Sequence, residues 1–202
     1  MLSLYTIDSF KTPTHFFKSE SLDLHRFALF FEEKIANRRY TYVNSKGKVK
    51  KINIELRGEN LPHLIGLQYW SNLPSKQASK QYKMLLDGTI DFEFLKASDI
   101  TAFKKHKDRF KMLPFFYRSF YNYECEIKLV ERNSNVGFER RKVDMIFRQN
   151  DSPDVYLLEL RCKGVDKFTF VPSSITVHKF NSATLKAKYL PLYIQEMRVD
   201  FL

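Results

Sequence analysis

The first regular pattern in the chain is helical. From Ser21 onward, apolar residues recur at spacings of three and four, which is typical of an amphipathic helix that buries one face. The apolar positions are Leu24, Phe27, Ala28, Phe31 and Ile35. Asp23 precedes them, where the positive end of the helix dipole favours a carboxylate. Residues 1–20 are mixed in polarity, and we expect them to form an N-terminal arm or a short strand.

A two-residue period replaces the helical one after residue 37. In "RRYTYVNSKGKVKKINIELRG", apolar and polar residues alternate on both sides of "NSKGK", a stretch typical of a turn. The alternating apolar positions are Tyr40 and Tyr42 before the turn and Ile52, Ile54 and Leu56 after it. The pattern predicts a β-hairpin.

Two longer helices are predicted downstream of the hairpin. The first runs from Ser75 to Leu86 and stops at Gly88, and the second begins at the cap Ser98 and is ended or kinked by Pro114. The inward residues of the second are expected to be Ile100, Phe103 and Phe110. Its opposite face is basic and carries Lys104, Lys105, Lys107, Arg109 and Lys111.

The last third of the chain returns to the period of strands. Alternating segments are "YECEIKLVER", "RKVDMIFRQ", "DVYLLELR", "DKFTFVPSSITV" and "LYIQEMRVDFL". Helices followed by strands predict an α+β fold with a sheet of four to five antiparallel strands. Because no internal repeat and no Gly-, Ser- or Pro-rich linker interrupts the pattern, we expect residues 21–202 to form a single domain.

Composition narrows the classes of partner. The 202 residues are 44% apolar and 15% aromatic, enough to bury a core without a metal or disulfide. Lys and Arg number 34 against 23 Asp and Glu, a net charge of +11, which favours RNA, DNA or an anionic membrane surface as partner. Cys125 and Cys162 lack metal-ligand spacing and are expected to be free thiols. No apolar run is long enough to span a membrane, and "MLSLYTIDSFK" lacks the regions of a leader peptide, so we expect a soluble, cytoplasmic protein.

Several motifs for cofactor or metal chemistry do not occur. The sequence contains no GxGxxG or GxxxxGK[ST], no HExxH, no His/Cys zinc pattern and no GxSxG. We therefore expect neither a cofactor nor a metal. Two-metal nuclease chemistry through Asp144, Glu159 and Asp166 ranks last among the hypotheses, because their spacing does not require a metal.

One titratable group lies within the apolar run "LPHLIGLQYW". Asn60 is suited to cap a helix and Pro62 to its first turn, so His63 is predicted in that turn, where the helix dipole favours a neutral imidazole. Gly66 permits close approach by a backbone or a ligand. The alternative is that His63 is a core residue with a satisfied ring.

A second group of polar residues follows the late strands. Arg161 ends "YLLELR" with Glu159 on the same face, and Ser173 and Ser174 follow Pro172, which is expected to break the strand. Metal-free RNA cleavage needs a base for the 2′-hydroxyl, an acid for the leaving 5′-oxygen and donors for the phosphorane. Histidine, arginine and serine side chains supply these roles. The structural alternatives are a Glu159–Arg161 surface ion pair and serines that only cap a turn.

The order of these features resembles a known family. The chain is similar to the phage-barnase-EndoU-colicin-RelE-like nucleases, fourth phage-associated group. The similarity lies in the order of a helix, a hairpin, the HLxGL sequence of "LPHLIGLQYW", and then "SKQYKMLLDGTI", "KHKDRFKML" and "YLLELR…FVPSSI". The resemblance implies N-terminal helices packed on a four-stranded antiparallel sheet, with a metal-independent ribonuclease site on the sheet. It matches His63 to the motif histidine, Arg109 to a helix arginine, and Ser173 and Ser174 to small polar residues after the late strand. Arg161 is added from its position alone.

The leading hypothesis is therefore a metal-independent endoribonuclease, a phage- or mobile-element-associated toxin or effector. The candidate catalytic residues are His63, Arg109, Arg161, Ser173 and Ser174, with His178 as an alternative partner acid. The candidate RNA-binding residues are Lys104, Lys105, Lys107, Lys111 and Lys179. The expected partners are RNA and an acidic protein inhibitor or antitoxin. Two alternatives remain, a non-catalytic nucleic-acid-binding module and a phage-encoded protein-interaction factor.

Overall fold

The computed structural model describes residues 23–121, 123, 125–131, 135–151, 154–164, 166–190 and 192–202. The predicted N-terminal arm, residues 1–20, lies outside them. The chain divides into a helical unit, residues up to Ile35 together with Leu61–Glu124, and a sheet unit, Ala36–Asn60 together with Cys125–Leu202. The single domain expected over residues 21–202 stays a prediction.

The helical unit is built from short helices. They are α1 (Leu24–Lys34), α2 (Asn60–Leu64), which starts at the last residue of the sheet unit, α3 (Ala78–Leu86), α4 (Phe92–Ser98), α5 (Ile100–His106) and α6 (Leu113–Phe120). Two 3-10 helices cover Leu67–Tyr69 and Lys107–Met112. The apolar face of α1 packs on α6, where the ring of Phe116 lies 6.0 Å from that of Phe27 and 5.5 Å from that of Phe31. Such packing supplies most of the stability of helices this short.

Aspartate caps determine where three of these helices begin. The side chains of Asp23, Asp91 and Asp99 each accept a hydrogen bond from the backbone N–H three residues later. Asp99 therefore starts a new helix directly after Ser98, which ends α4 instead of capping the predicted helix. Ile100, expected to point inward, is exposed.

The predicted stop at Pro114 was also wrong. Pro114 lies in the first turn of α6, where the absence of a backbone N–H costs nothing. The segment from α5 to α6 is thus two α-helices joined by a 3-10 helix. In contrast, α3 ends at Leu86 and Gly88 follows in a left-handed conformation, as expected of a helix stop.

Within its described residues, the sheet unit contains one eight-stranded sheet, one α-helix and a 3-10 helix at Ala183–Lys186. The strands are β1 (Arg38–Asn44), β2 (Lys51–Leu56), β3 (Glu126–Val130), β4 (Met145–Asp151), β5 (Asp154–Lys163), β6 (Asp166–Lys179), β7 (Tyr189–Leu190) and β8 (Ile194–Phe201), and α7 (Val136–Arg141) lies between β3 and β4. Their order is β7-β3-β4-β5-β6-β2-β1-β8. The α+β class was predicted correctly, but four to five strands were too few, because the hairpin β1–β2 and the last strand join the same sheet.

The two faces of the sheet differ in polarity. Cross-strand partners share a face, so the pairs Tyr40↔Ile54 and Phe147↔Leu158 place buried apolar side chains on one side. The pairs Arg39↔Glu55, Thr41↔Asn53 and Glu159↔Ser174 belong to the opposite side, here called the polar face. An antiparallel sheet commonly divides its faces in this way.

Strand β6 does not end at Pro172. It continues for 14 residues through Pro172, Ser173 and Ser174, so the predicted strand break was wrong. Glu159 pairs with Ser174 whereas Leu160 pairs with Pro172, which leaves Ser173 as the extra residue of a β-bulge. A bulge accommodates a proline because the hydrogen-bond ladder between the strands is interrupted there, so the N–H that proline lacks is not needed.

Helix α7 covers part of the polar face. Its Phe138 packs with Ile146 on β4 and with Val155 and Leu157 on β5 in a buried cluster. The polar residues further along β5 and β6 thus lie beside an apolar patch that fixes the position of α7.

Candidate active site

A buried carboxylate lies on the polar face. Glu159 is in the middle of β5 between two buried leucines, and its side chain has 0% exposure. Arg141 donates from Nε to Oε2 at 3.0 Å and from NH2 to Oε1 at 2.7 Å. A two-pronged bond of this kind compensates the loss of hydration that burial imposes on a charge.

The arginine is held in place by its helix. Asn135 caps α7 by accepting from the N–H of Phe138 at 3.1 Å, and Arg141 lies at the other end of the helix with its guanidinium carbon 5.5 Å from the Phe138 ring centroid. The Arg141 side chain is nevertheless 38% exposed. One part of the guanidinium is therefore fixed on Glu159 while another part reaches solvent.

A hydrogen-bond chain connects the same carboxylate to a histidine. Thr176 Oγ1 donates to Glu159 Oε1 at 3.2 Å, and His178 Nε2 lies 2.9 Å from Thr176 Oγ1. A hydroxyl has one proton, and here it is given to a carboxylate that only accepts. Nε2 of His178 must then carry a proton and donate it to Thr176, which leaves the lone pair of the neutral ring on Nδ1.

The electrostatic surroundings favour that neutral ring. Burial lowers the pKa of His178 below its ordinary value, and Arg141 lowers it further, while Glu159 opposes both. A half-buried imidazole that is neutral near pH 7 and oriented through Nε2 is suited to accept a proton at Nδ1. We call Arg141, Glu159, Thr176 and His178 the sheet-face cluster.

The sequence-predicted residues of the sheet unit lie around this cluster. Arg161 is exposed on β5, two residues beyond Glu159 on the polar face. The structural alternative of a surface Glu159–Arg161 ion pair was wrong, because Glu159 is buried and paired with Arg141. Ser174 is the cross-strand partner of Glu159. Ser173 is less available, because its Oγ donates to the Glu159 backbone carbonyl at 3.0 Å.

Lys179, predicted to bind RNA, ends β6. Its Nζ donates to Asp154 Oδ1 at 2.6 Å, and its side chain is 76% exposed. An exposed ion pair of this kind contributes little to stability and exchanges readily for another anion.

His63 lies in the helical unit and is exposed, so the alternative of a core histidine was wrong. Helix α2 starts at Asn60 itself and has five residues, of which His63 is the fourth. Its first and last turns therefore coincide, and the helix dipole gives no argument for the charge of the ring.

Arg109 is bound to the turn that follows His63. Its NH1 donates to the Leu64 carbonyl at 3.3 Å, and its guanidinium carbon lies 5.1 Å from the Tyr69 ring centroid. Gly66, with φ of 87°, makes room: a Cβ there would lie 2.9 Å from Arg109 Cδ. Glycine is thus required at this position of HLxGL because the Arg109 side chain lies close to its backbone.

The predicted basic surface occurs on α5 and the 3-10 helix after it. Lys104, Lys105 and Lys107 are exposed, whereas the side chain of Lys111 lies outside the described part of the chain. Beside them the rings of Tyr69 and His106 stack at 4.1 Å between centroids. The pKa of His106 is lowered by burial and by the neighbouring Arg109 and Lys105.

A second buried carboxylate lies on the polar face, on β2. Glu55 accepts from Arg39 NH2 at 2.8 Å and also from Lys163 Nζ. The hydrogen bond from Lys163 is the main reason for a lowered pKa of Glu55, and Arg39 adds to it. Unlike Glu159, Glu55 is bound by two cations and is not connected to a histidine. We therefore assign it the structural role of pairing strands.

Sequence reasoning missed two members of the sheet-face cluster, Arg141 and Thr176. The available signal was Glu159, a charged residue inside the apolar run "YLLEL". A buried carboxylate requires a cationic partner. Its identity was hidden because Arg141 belongs to a different element, 18 residues away along the chain.

Within the described ranges, no group of three or more His, Cys, Asp or Glu side chains is arranged to hold a metal ion. Among the described helices, none has both the length and the apolarity needed to cross a membrane.

A known protein family matches most of the chain. Residues 23–193 match the family described as phage-Barnase-EndoU-ColicinE5/D-RelE like nuclease4. No curated protein and no solved structure was found to match the chain. The match covers most of the 202 residues, and the chain belongs to this nuclease family.

Proposed function

We propose that this protein is a metal-independent endoribonuclease that uses the sheet-face cluster. The observation that carries the proposal is the hydrogen-bond chain from Glu159 through Thr176 to His178, with Arg141 on the same carboxylate. Membership of a nuclease family supports a phosphodiester substrate. The net charge of +11 supports a polyanion.

The chemistry follows from the proton positions. His178 Nδ1 takes the proton of the 2′-hydroxyl as the 2′-oxygen attacks phosphorus, and the imidazolium returns a proton to the 5′-oxygen as the P–O5′ bond breaks. The products are a 2′,3′-cyclic phosphate and a 5′-hydroxyl. The exposed part of Arg141, with Arg161 and Ser174, stabilises the charge on the phosphorane oxygens.

The helical unit supplies a second proposed set of residues. His63 remains a proposed base or acid and Arg109 a proposed phosphate ligand. Lys104, Lys105 and Lys107 of this unit, together with Lys179 of the sheet unit, are proposed to bind the RNA backbone. We further propose that the biological role is that of a phage- or mobile-element-associated toxin or effector, with an acidic protein as its inhibitor.

The test is cleavage of end-labelled RNA in EDTA by the wild type and four variants: His178→Ala, Thr176→Val, Thr176→Ser and His63→Ala. We expect His178→Ala to lose at least about 100-fold in rate, because general base catalysis is typically worth that factor. Thr176→Val should lose activity whereas Thr176→Ser, which keeps the hydroxyl, should retain most of it. Circular dichroism melting confirms matched folding.

The outcomes separate the hypotheses. Loss with His63→Ala alone would transfer the chemistry to the helical unit and overturn the sheet-face assignment. Salt-sensitive RNA binding without cleavage by any form would favour the non-catalytic binding module. Activity that requires added Mg²⁺ would contradict metal independence.

A further inference from the structure

The two edges of the sheet are unequal. Strand β7 at one edge has two residues, whereas β8 at the other has eight and contains neither Pro nor Lys. In the described part of the chain, β8 is paired only with β1, and its one register shift leaves Gln195 as an extra residue. An edge strand is usually protected by Pro, Lys or a bulge unless it has a partner, and the regular stretch from Glu196 to Phe201 has none of the three.

The hydrogen-bonding phase of β8 is fixed by β1. Leu202 N donates to the Asn37 carbonyl, and the register continues through the pair Arg38↔Phe201. Antiparallel residues alternate between hydrogen-bonded and non-hydrogen-bonded pairs. The N–H and C=O groups of Met197, Val199 and Phe201 therefore point away from β1, toward the open edge.

The side chains of β8 are arranged in two rows. Met197, Val199 and Phe201 form an apolar row on the face of Tyr40, and Val199 and Phe201 are 36% and 79% exposed. Glu196, Arg198 and Asp200 lie in the other row, on the polar face, and are exposed. Arg198 Nε donates to Glu196 Oε1 at 2.6 Å, and an ion pair this exposed leaves the guanidinium able to bind a second carboxylate. Exposed apolar residues at an unpaired edge mark an interaction site.

We propose that β8 pairs antiparallel with β8 of a second copy of this chain, about a two-fold axis through Val199. This register places Met197 opposite Phe201 of the second copy and Val199 opposite Val199. It also places Arg198 opposite Asp200 of the second copy, so that two opposite-charge pairs form on the polar face. All three outward-pointing residues of each strand then exchange hydrogen bonds across the axis.

The neighbouring register fits less well. An axis through Met197 keeps the hydrogen-bonding phase and sets Arg198 against Glu196, but it sets Val199 against Gln195 and Asp200 against Ile194. It also extends the pairing across the bulge at Gln195, where the ladder is irregular. The pairing about Val199 uses only the regular stretch and matches apolar with apolar and positive with negative between Met197 and Phe201. It is independent of the proposed ribonuclease activity.

Sedimentation of the full chain over a range of concentrations tests the pairing. We expect the wild type to form a dimer, and we expect its dissociation constant to rise at least tenfold in Val199→Pro. Proline removes the outward N–H of Val199 that bonds to the second copy. The pairing of Val199 with Tyr40 of β1 does not use that N–H, so the strand should stay in the sheet. Val199→Thr, which keeps the N–H and the β-branch, is the matched control. A monomeric wild type, or a dimer unaffected by Val199→Pro, would overturn the proposal.

Charge exchange and cross-linking test the register. Asp200→Arg should weaken the dimer at least tenfold by placing Arg198 opposite an arginine, and the double variant Arg198→Asp with Asp200→Arg should restore it. Under mild oxidation, Val199→Cys should form a covalent dimer in excess of the wild type, whereas Met197→Cys should not. Cross-linking through Met197→Cys instead, or no rescue by the double variant in a correctly folded protein, would overturn the register about Val199.

Discussion

Gly66 shows how a single residue connects a sequence motif to packing. Its backbone is left-handed, and the space that a side chain would need is filled by Arg109 and Tyr69. The glycine of HLxGL is therefore explained without reference to chemistry. The function of the motif histidine is a separate question, which the exposure of His63 leaves for activity measurements.

Gly66→Ala should destabilise the protein by about 2–3 kcal/mol, because a non-glycine residue in the left-handed region is strained and the new Cβ collides with Arg109. Gly164→Ala is the matched control: its φ is also positive, but among the described residues nothing lies within 4 Å of the added Cβ. We expect a loss of about 1 kcal/mol there. Urea unfolding measures both, and equal losses would contradict the collision with Arg109.

His178 should make stability depend on pH. Its pKa is lowered in the folded state, so as pH falls the unfolded chain binds a proton first, near the ordinary value of 6.5. The contribution is complete above that value and is lost as pH falls through the lower folded-state pKa. His178→Asn should reduce the slope of unfolding free energy between pH 5 and 7 by at most about 1.4 kcal/mol per pH unit.

The control for this measurement is His106→Asn. The pKa of His106 is also lowered, so this variant should remove a further, separate part of the slope. A slope that His178→Asn leaves unchanged would show that His178 is not held neutral by burial. The proposed Nδ1 base would then lose its physical support.

At the scale of elements, the register of β6 around its bulge decides which side chains face the site. Ser173 is the extra residue, and after it Ser174, Thr176 and His178 alternate onto the polar face together with Glu159. Because strand side chains alternate with a period of two, one residue more in the regular ladder changes the face of everything that follows.

Inserting one alanine between Ser174 and Ile175 should therefore move Thr176 and His178 to the apolar face. We expect a loss of about 3 kcal/mol or more in unfolding free energy, together with loss of any RNA cleavage. Deleting Ser173 is the matched control, because Leu160↔Pro172 and Glu159↔Ser174 then become consecutive pairs and Thr176 and His178 stay on the polar face. An insertion variant as stable as the deletion variant would contradict this dependence on register.

Local patterns predicted the elements better than their assembly. The apolar spacing of α1 and the alternation of β1, β2, β4 and β5 identify these elements, because helices and strands have distinct periods. Helix α4 was missed, and the cap of α5 was predicted at Ser98 and not at Asp99, because serine and aspartate are both favoured N-cap residues. The site was only partly predictable, because Glu159 draws its partner from α7, which the strand pattern concealed.

At the scale of the whole molecule, the charge of +11 bears on binding more than on folding. Log affinity for single-stranded RNA should fall linearly with log salt, with a slope of about −0.7 per neutralised phosphate. Replacing Lys104, Lys105 and Lys107 by Ala should make this slope shallower by about 2, because three exposed cations are removed. Fluorescence anisotropy titrations at several salt concentrations measure it.

The matched control removes three other exposed lysines of the helical unit, Lys80, Lys83 and Lys96. The net charge changes equally in both triple variants. If RNA binds at the basic surface, the control variant should keep the salt slope of the wild type. An equal effect of both triple variants would indicate attraction by net charge without a defined binding surface.

The connection of the sheet through β2 and β6 has a consequence for the order of folding. Strands β4, β5 and β6 follow one another and pair as an antiparallel meander, which closes only short loops. The β2–β6 contact is parallel, has two residue pairs and joins positions 116 residues apart. Since a large loop must close before this contact forms, we expect the meander to form early. The hairpin β1–β2 should attach late, and β8 can gain its place only after β1 has arrived.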